Sequence, residues 1–114
     1  MADCIFCKIA GGQIPATVVY QDEDCVAFRD LGPQAPTHIL VVPRRRIATL
    51  NDLGAGDAEL IGRIVIAAAR IASEEGVAEA GYRLVWNCNA AAGQSVFHLH
   101  LHLLGGRTFG WPPG

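Results

Sequence analysis

The chain has little charge, few aromatic residues and no strong excess of either sign. Only 18% of its 114 residues are charged, 7% are aromatic, and the net charge is −2. Because 51% of the residues are hydrophobic, the composition excludes a disordered chain, and the weak net charge does not favour a polyanion binder. We therefore expect one folded domain over residues 1–114, large enough for a core of its own.

The chain also lacks a long apolar segment. In the segment that reads as a helix, the longest uninterrupted apolar run is residues 64–69, with an arginine on each side. A span across a bilayer needs about 20 apolar residues. Residues 1–4 show no signal peptide. The sequence therefore predicts a soluble, cytoplasmic protein with no membrane partner.

Basic residues form only one run, Arg44-Arg45-Arg46, directly after Pro43. A nucleic-acid surface usually combines several basic stretches with interleaved aromatic residues, and neither accompanies this run. We interpret the run as a solvated turn and expect no nucleic-acid partner.

The four cysteines indicate thiols or metal ligands rather than a disulfide framework in a chain of this kind. Two of them, Cys4 and Cys7, have the Cys-x-x-Cys spacing of zinc ligands. A structural zinc site needs four ligands, so this pair alone does not define one.

The order of apolar and turn segments predicts an α+β domain. One long helix shows apolar residues at i, i+3 and i+4 between Leu60 and Ala72, with Asp57 able to cap its start and Gly76 able to close its end. The segments predicted as strands are residues 17–20, 25–29, 37–42, 82–87 and 97–104, with a short turn at the Cys-x-x-Cys pair. We expect an antiparallel sheet of about five strands, covered by the helix on one face and by loops and the tail on the other.

The most informative stretch is Phe97-His98-Leu99-His100-Leu101-His102-Leu103-Leu104. Its alternation of histidine and leucine is typical of a strand with one apolar and one chemical face. Residues two apart on a strand lie roughly 6.5–7 Å apart on the same side, so the three imidazoles would form a row. A solvated strand face and a His-x-His metal site are the other interpretations. The preceding glycine-bearing loop, residues 92–95, favours a ligand site.

A row of imidazoles suits attack on the α-phosphorus of a nucleotide. Neutral imidazole is not repelled by the phosphate, and its pKa near 6.5 leaves it mostly neutral at pH 7. The central His100 is the best candidate for the attacking group, because it has a histidine on each side to bind oxygens or orient its tautomer. The turn Gly93-Gln94-Ser95 can offer backbone N–H groups and a hydroxyl to the phosphate oxygens, although such a tripeptide alone is more often a plain turn.

The run His98 to Leu104 resembles the histidine-triad signature, His-φ-His-φ-His-φ-φ with φ apolar, of the HIT superfamily of nucleotide hydrolases and transferases. The likeness is greatest to the branch of histidine triad nucleotide-binding proteins. It extends through Asp30, residues 33–38, Asn87, residues 93–97 and the tail from Gly105 to Gly114. It implies the HIT-like fold and a homodimer whose sheet continues across two subunits, with Trp111 of the tail reaching toward the partner's site.

The resemblance also implies roles for individual residues. His100 would be the nucleophile, His102 would contact the phosphate, and Ser95 would assist the departing amine. His38 would relay protons behind the nucleophile, although from the residues alone it reads as a satisfied strand histidine. The residues implied to bind the nucleotide are Phe28 and Leu31 at the base, Asp30 at the ribose hydroxyls, Asn87 near the phosphate, and Gly93, Gln94, Ser95, His100 and His102. From the sequence alone, Asp30 reads equally well as a strand-end cap.

Zinc-binding relatives combine the Cys-x-x-Cys pair with the first triad histidine, here His98, and with a histidine in the turn after the third strand. In this chain Arg46 stands at that last position. A guanidinium cannot ligate zinc. We predict that the site of Cys4, Cys7 and His98 is lost, is weakened to three protein ligands plus water, or is completed by another group. Catalysis should need no cofactor.

The resemblance implies a purine nucleoside phosphoramidase, which cleaves the P–N bond of adenosine or guanosine 5′-phosphoramidates through a nucleotidyl-His100 intermediate. A uridylyl transferase is disfavoured because histidine, not glutamine, stands at His102. Two alternatives remain: a dinucleoside polyphosphate hydrolase, and a regulatory module that binds AMP or GMP with little turnover.

Overall fold

A five-stranded antiparallel sheet and one long helix dominate the computed structural model, which describes residues 4–114. Residues 1–3, on which the expectation of no signal peptide partly rests, lie outside this described range. The helices and strands are α1 (Ile5–Ala10), β1 (Val18–Gln21), β2 (Cys25–Arg29), β3 (Thr37–Pro43), α2 (Ala58–Glu74), β4 (Tyr82–Trp86) and β5 (Leu101–Gly105). Within the described range, no helix combines the length and the apolar character that a membrane span requires. The predicted α+β class is confirmed.

The strand order β1-β2-β3-β5-β4 places the histidine-bearing strand between two neighbours. In the antiparallel registers, His102 of β5 lies opposite Leu40 of β3 and Val85 of β4. His102 is therefore held near the middle of the sheet.

Each face of the sheet packs against a different helix. On one face α2 buries Ile64 and Ile71 against Leu101 and Leu103 of β5. On the other face the short α1 packs against a second apolar cluster that includes Leu40. Because side chains alternate along a strand, His102 lies on the α1 face, away from α2, as predicted for the chemical face.

The long helix ends as predicted but begins differently. At its end Gly76 has a φ of +76°, and the N–H groups of Gly76 and Val77 donate to the carbonyls of Ser73 and Ala72, at 3.1 and 3.0 Å. These two bonds form a Schellman cap. At its start the Asp57 carboxylate accepts from the Gly54 N–H, 2.9 Å away, and caps a preceding 3₁₀ turn instead of α2. Asp57 therefore occupies the predicted N-cap position of α2, but its carboxylate bonds to the extra turn before the helix and makes no capping bond to α2 itself.

The predicted histidine strand is too long at its start. β5 begins at Leu101, so His98 and His100 precede it. Between them the Leu99 N–H donates to the carbonyl of Ile47, in the segment after β3, at 2.6 Å. This contact replaces regular pairing, so His102 is the one triad histidine that lies within β5.

Two further segments differ from the sequence prediction. The Cys-x-x-Cys segment forms the helix α1 rather than a turn. The arginine run is exposed, as predicted, yet its side chains tie neighbouring segments together. Arg44 donates to the carbonyls of Asp22 and Ala10, and Arg45 pairs with Asp57.

Candidate functional site

A cavity of about 290 Å³ opens on the sheet face that carries α1. Its apolar part lies between α1 and β2, and its polar part lies at the start of β5. Six of the predicted site residues line it: Phe28, Asp30, Leu31, Ser95, His100 and His102. This combination of an apolar recess with a few polar groups is typical of a small-molecule site.

His100 presents an imidazole nitrogen with a lone pair. Its Nδ1 lies 2.7 Å from the carbonyl oxygen of His98. Because a carbonyl only accepts, we assign the proton to Nδ1 and the lone pair to Nε2. Burial lowers the pKa of His100, since the charged form would lose its hydration. The edge of Phe6 packs against the ring, with 5.0 Å between centroids. His100 is thus neutral, oriented and nucleophilic.

His38 and His102 form a chain of hydrogen bonds with only one consistent direction. The backbone N–H of Gln34 donates to His38 Nδ1 at 3.0 Å, so the proton of His38 is on Nε2. His38 Nε2 lies 2.9 Å from His102 Nδ1 and donates to it. The proton of His102 is therefore on its own Nε2. Burial, with His100 and His38 nearby, lowers the pKa of His102 to about 4. His102 is a neutral N–H donor beside the nucleophile.

Asp30 lies directly after β2, at the polar end of the cavity. Its Oδ1 accepts from the Gly32 N–H at 2.9 Å, and its Oδ2 lies 3.4 Å from His38 Nε2. The carboxylate is therefore a second, weaker acceptor for the His38 proton, and its own position is held by the turn.

Asp30, His38 and His102 also bring three metal-ligating atoms within 4.8 Å of one another. The hydrogen bonds argue against a metal there. His38 Nδ1 is occupied by the Gln34 N–H and Nε2 carries the proton, so neither nitrogen has a lone pair for an ion. This cluster is better described as a proton-bearing chain.

The loop before the histidines differs from the predicted anion nest. The N–H groups of Gly93 and Gln94 donate to the carbonyls of Ala90 and Asn89, at 3.0 and 3.1 Å. These two amides are engaged inside the loop. Ser95, which lines the cavity, is the member of the turn that faces the site.

The Gln94 side chain is buried and holds this loop in place. It accepts from the Asn89 N–H and donates to the carbonyl of Ala48, both at 2.8 Å. Gln94 was predicted as a nucleotide contact, but its amide group is used by the protein itself. It positions Ser95 instead.

At the apolar end, Phe28 is buried and packs edge-on against Phe6, with 5.5 Å between ring centroids. Leu31 lies on the rim and is 94% exposed. Phe6 and Ile9 of α1 also line the cavity, and sequence reasoning missed both because α1 was read as a turn. The signal available was the i, i+3 spacing of these two apolar residues.

Asn87 lies at the edge of the site. It follows Trp86, whose register partner in β5 is Leu101. Asn87 is therefore at the same end of the sheet as His100, although it is not part of the cavity wall.

A second cluster consists of Cys4, Cys7 and His98. His98 is fully buried and does not line the cavity, but its ring lies on the same α1 side as that of His100, because the Phe6 ring packs against both, with centroids 6.2 and 5.0 Å away. Its Nε2 donates to the Pro43 carbonyl at 2.7 Å, so Nδ1 carries the lone pair. That nitrogen lies 3.1 and 3.2 Å from the two sulfur atoms. Burial lowers the pKa of His98, and Arg46 adds to the effect.

These three donors suit zinc in kind but do not complete its site. Among the described residues, the cluster contains only Cys4, Cys7 and His98. Arg46, in the turn after β3, donates from Nε and Nη2 to the Phe97 carbonyl at 3.2 and 2.9 Å. Structural zinc is almost always held by four ligands, and a guanidinium has no lone pair to offer. The residues present do not fit a closed four-ligand zinc site.

Comparison with known proteins agrees with this geometry. A family model described as the HIT domain matches residues 11–109. The chain is 52% identical over 108 residues to the purine nucleoside phosphoramidase of Escherichia coli (strain K12), covering 95% of this chain and 91% of that protein. It is also 52% identical over 112 residues to an uncharacterized HIT-like protein of Synechococcus elongatus, covering 98% and 97% of the two chains.

Solved structures share the fold of this chain. A HIT family hydrolase from Legionella pneumophila superposes with a TM-score of 0.96 and 57% identity, over 98% of this chain and 100% of that one. A histidine triad protein from Clostridium difficile gives a TM-score of 0.93 and 44% identity, over 96% of each chain.

Proposed function

Since the chain belongs to the HIT family of hydrolases, we propose that it is a purine nucleoside phosphoramidase. Its substrates would be adenosine or guanosine 5′-phosphoramidates, and its products the nucleoside monophosphate and an amine. The observation that carries this proposal is the pairing of His100 Nε2, a lone-pair nitrogen, with a neighbouring N–H donor on His102. The high identity to the Escherichia coli phosphoramidase supports the P–N bond as the bond that is cleaved.

In the first proposed step, His100 Nε2 attacks the α-phosphorus. The N–P bond to His100 forms while the P–N bond of the substrate breaks, and the electron pair stays on the leaving nitrogen. That nitrogen takes a proton from water through the Ser95 hydroxyl. General acid assistance of this kind contributes typically ~10²–10⁴-fold.

The charge that develops on the phosphoryl oxygens faces the N–H of His102. His38 keeps that N–H pointed at the substrate, because its own Nε2–H occupies His102 Nδ1. The donor is in place before the reaction begins. Such preorganised donors usually supply most of the electrostatic stabilisation of a transition state.

In the second step, water attacks the nucleotidyl-His100 intermediate. The P–N bond to His100 breaks, the monophosphate leaves, one proton of the water passes to solvent, and the lone pair of Nε2 returns.

The rest of the site would hold the nucleoside. Asp30 would accept hydrogen bonds from the two ribose hydroxyls, and Phe28 and Leu31 would contact the base. Asn87 would lie near the phosphate at the open end of the sheet. Gly93 and Gln94 would contribute indirectly, by holding the loop that positions Ser95.

Two other functions use the same cavity: dinucleoside polyphosphate hydrolysis, and nucleotide binding with little turnover. Steady-state release of AMP from an adenosine 5′-phosphoramidate, compared with release from diadenosine polyphosphates, separates the three. We expect the phosphoramidate to have the higher kcat/KM. A preference for the dinucleotide would support the first alternative, and AMP binding without turnover of either substrate would support the second.

The lowered pKa values predict the shape of the pH profile. Burial lowers the pKa values of His100, His102 and His38 below the ordinary 6.5, so the neutral forms persist into mild acid. We expect kcat/KM, corrected for uncatalysed breakdown of the substrate, to fall between pH 7.5 and 6.0 by less than the roughly fourfold loss that a histidine of ordinary pKa would cause. A histidine of ordinary pKa would lose about three-quarters of its neutral form over this range. An acid limb with its midpoint at 6.5 or above would contradict the assignment.

We also propose a homodimer. Strand β4 ends the sheet on one side and its residues are only half-buried. Ile66 of α2 is 66% exposed, and Trp111 of the tail is 84% exposed. A second copy beside β4 would cover the apolar helix face and bring Trp111 near its partner's cavity. Sedimentation equilibrium should give twice the chain mass.

We place the protein in the cytoplasm. Support comes from its four cysteines, all of which are free thiols. Thiols of this kind persist where the medium is reducing.

A further inference from the structure

The cluster of Cys4, Cys7 and His98 is not used by the proposed hydrolysis. Its three donor atoms converge from α1 and from the segment before β5, with His98 Nδ1 3.1 and 3.2 Å from the two sulfurs. Metal–sulfur and metal–nitrogen bonds of about 2.3 and 2.0–2.1 Å would require these atoms to move apart by only roughly 0.6 Å. The arrangement is close to a set of three ligands around one ion.

The imidazole is ready to bind an ion without changing its tautomer. The Pro43 carbonyl accepts from His98 Nε2–H at 2.7 Å, which keeps the lone pair on Nδ1. A backbone carbonyl that holds the second ring nitrogen is the common support of a metal-binding histidine. The chain therefore supplies two thiols, one oriented nitrogen and the outer contact that orients it.

Arg46, in the turn after β3, lies beside this cluster. Its guanidinium donates to the carbonyl of Phe97, the residue before His98, and so places a positive charge beside the cluster. Two thiolates, one imidazole and Zn²⁺ make a neutral complex, whereas the same ligands with a monovalent ion make a complex of charge −1. A nearby cation stabilises the second more than the first.

We propose that Cys4, Cys7 and His98 form a three-coordinate site for a monovalent thiophilic metal ion of the Cu(I) class, and that Arg46 selects against zinc. Soft thiolate ligands suit Cu(I), which does not require the closed tetrahedron typical of structural zinc. Binding replaces the thiol protons: Cys4-SH and Cys7-SH each release one proton as the two S–Cu bonds form. The site is separate from the nucleotide cavity, and the proposal does not depend on the proposed hydrolysis.

The test is an anaerobic titration of the reduced full-length chain. Cu(I) is supplied as its complex with bicinchoninate, and transfer is followed by loss of the coloured complex; Zn²⁺ is titrated separately against a chromophoric chelator. We expect one Cu(I) per chain, and an X-ray absorption spectrum with two sulfur neighbours and one nitrogen neighbour. Cys7→Ser should weaken Cu(I) binding on the order of 100-fold or more. Cys88→Ser, which removes a thiol outside the cluster, should leave it unchanged.

The role of Arg46 is tested by Arg46→His, which removes the fixed charge and adds a nitrogen ligand next to the cluster. We expect its Zn²⁺ affinity to rise on the order of 10–100-fold over wild type. The proposal is overturned if Cu(I) binding survives Cys7→Ser, if it is lost in Cys88→Ser, or if wild type binds four-coordinate zinc as tightly as Arg46→His. If Cys7→Ser fails to fold, Cys4→Ser and the wild-type absorption spectrum decide the question.

Discussion

Replacing the nucleophile (His100→Ala) is expected to lower kcat/KM for an adenosine 5′-phosphoramidate by about 10⁴-fold or more, the loss typical of removing a covalent nucleophile. The reason is that no other group presents a lone pair in the same place. His102 and His38 are committed to the chain of hydrogen bonds that ends in the His102 N–H. Turnover is measured as release of AMP, and binding of AMP by calorimetry.

AMP affinity should change by less than about tenfold in this variant, because His100 contacts only the phosphate end of the cavity in the proposed complex. Thermal unfolding of the variant serves as the control for folding. Turnover within tenfold of wild type in a folded variant would remove His100 from the nucleophile's role.

The largest loss of stability is expected from truncating Leu103. This residue is fully buried in β5 between Ile39 of β3 and Leu84 of β4, and it packs in the cluster covered by α2. A leucine-to-alanine change at such a position typically costs about 2–5 kcal/mol of unfolding free energy, because the neighbours close the cavity only in part. We expect Leu103→Ala to reach this range in urea unfolding at pH 7.

The matched control is Leu31→Ala, the same substitution at a residue that is 94% exposed. It should change the unfolding free energy by less than about 0.5 kcal/mol. If the two variants lost equal amounts of unfolding free energy, the packing of β5 against α2 would not be the core of the fold.

The sequence predicted those features that depend on local pattern. The alternation in β5 identified which residues face α2, and the apolar spacing of α2 identified its buried stripe, because both periods are set by backbone geometry alone. The Schellman cap at Gly76 was also predictable, since a left-handed φ strongly favours glycine.

The sequence could not predict contacts between distant segments. The start of β5 depends on a bond from Leu99 to Ile47, more than fifty residues earlier. The six-residue α1 offers only one apolar i, i+3 pair, Phe6 and Ile9, which does not by itself distinguish a helix from a turn, so Phe6 was missed as a wall of the cavity. Short helices depend on tertiary packing rather than on their own propensity.

The tautomers of the histidines are the clearest example of a feature that the sequence could not predict. His98, His100 and His102 look alike in the sequence, yet a carbonyl of Pro43, a carbonyl of His98 and an N–H of His38 give them three different roles. Only the folded chain distinguishes a buried hydrogen-bond partner of the cysteines from a nucleophile and from a hydrogen-bond donor to the phosphate.

The most direct test of the proposed mechanism is to trap the intermediate. Wild-type enzyme is mixed with an adenosine 5′-phosphoramidate, quenched in alkali within the first turnover, digested and examined by mass spectrometry. The mechanism predicts an adenylyl adduct on His100 that forms as the amine is released and then decays to AMP. Release of the amine with no adduct, or an adduct on His102 instead, would contradict it.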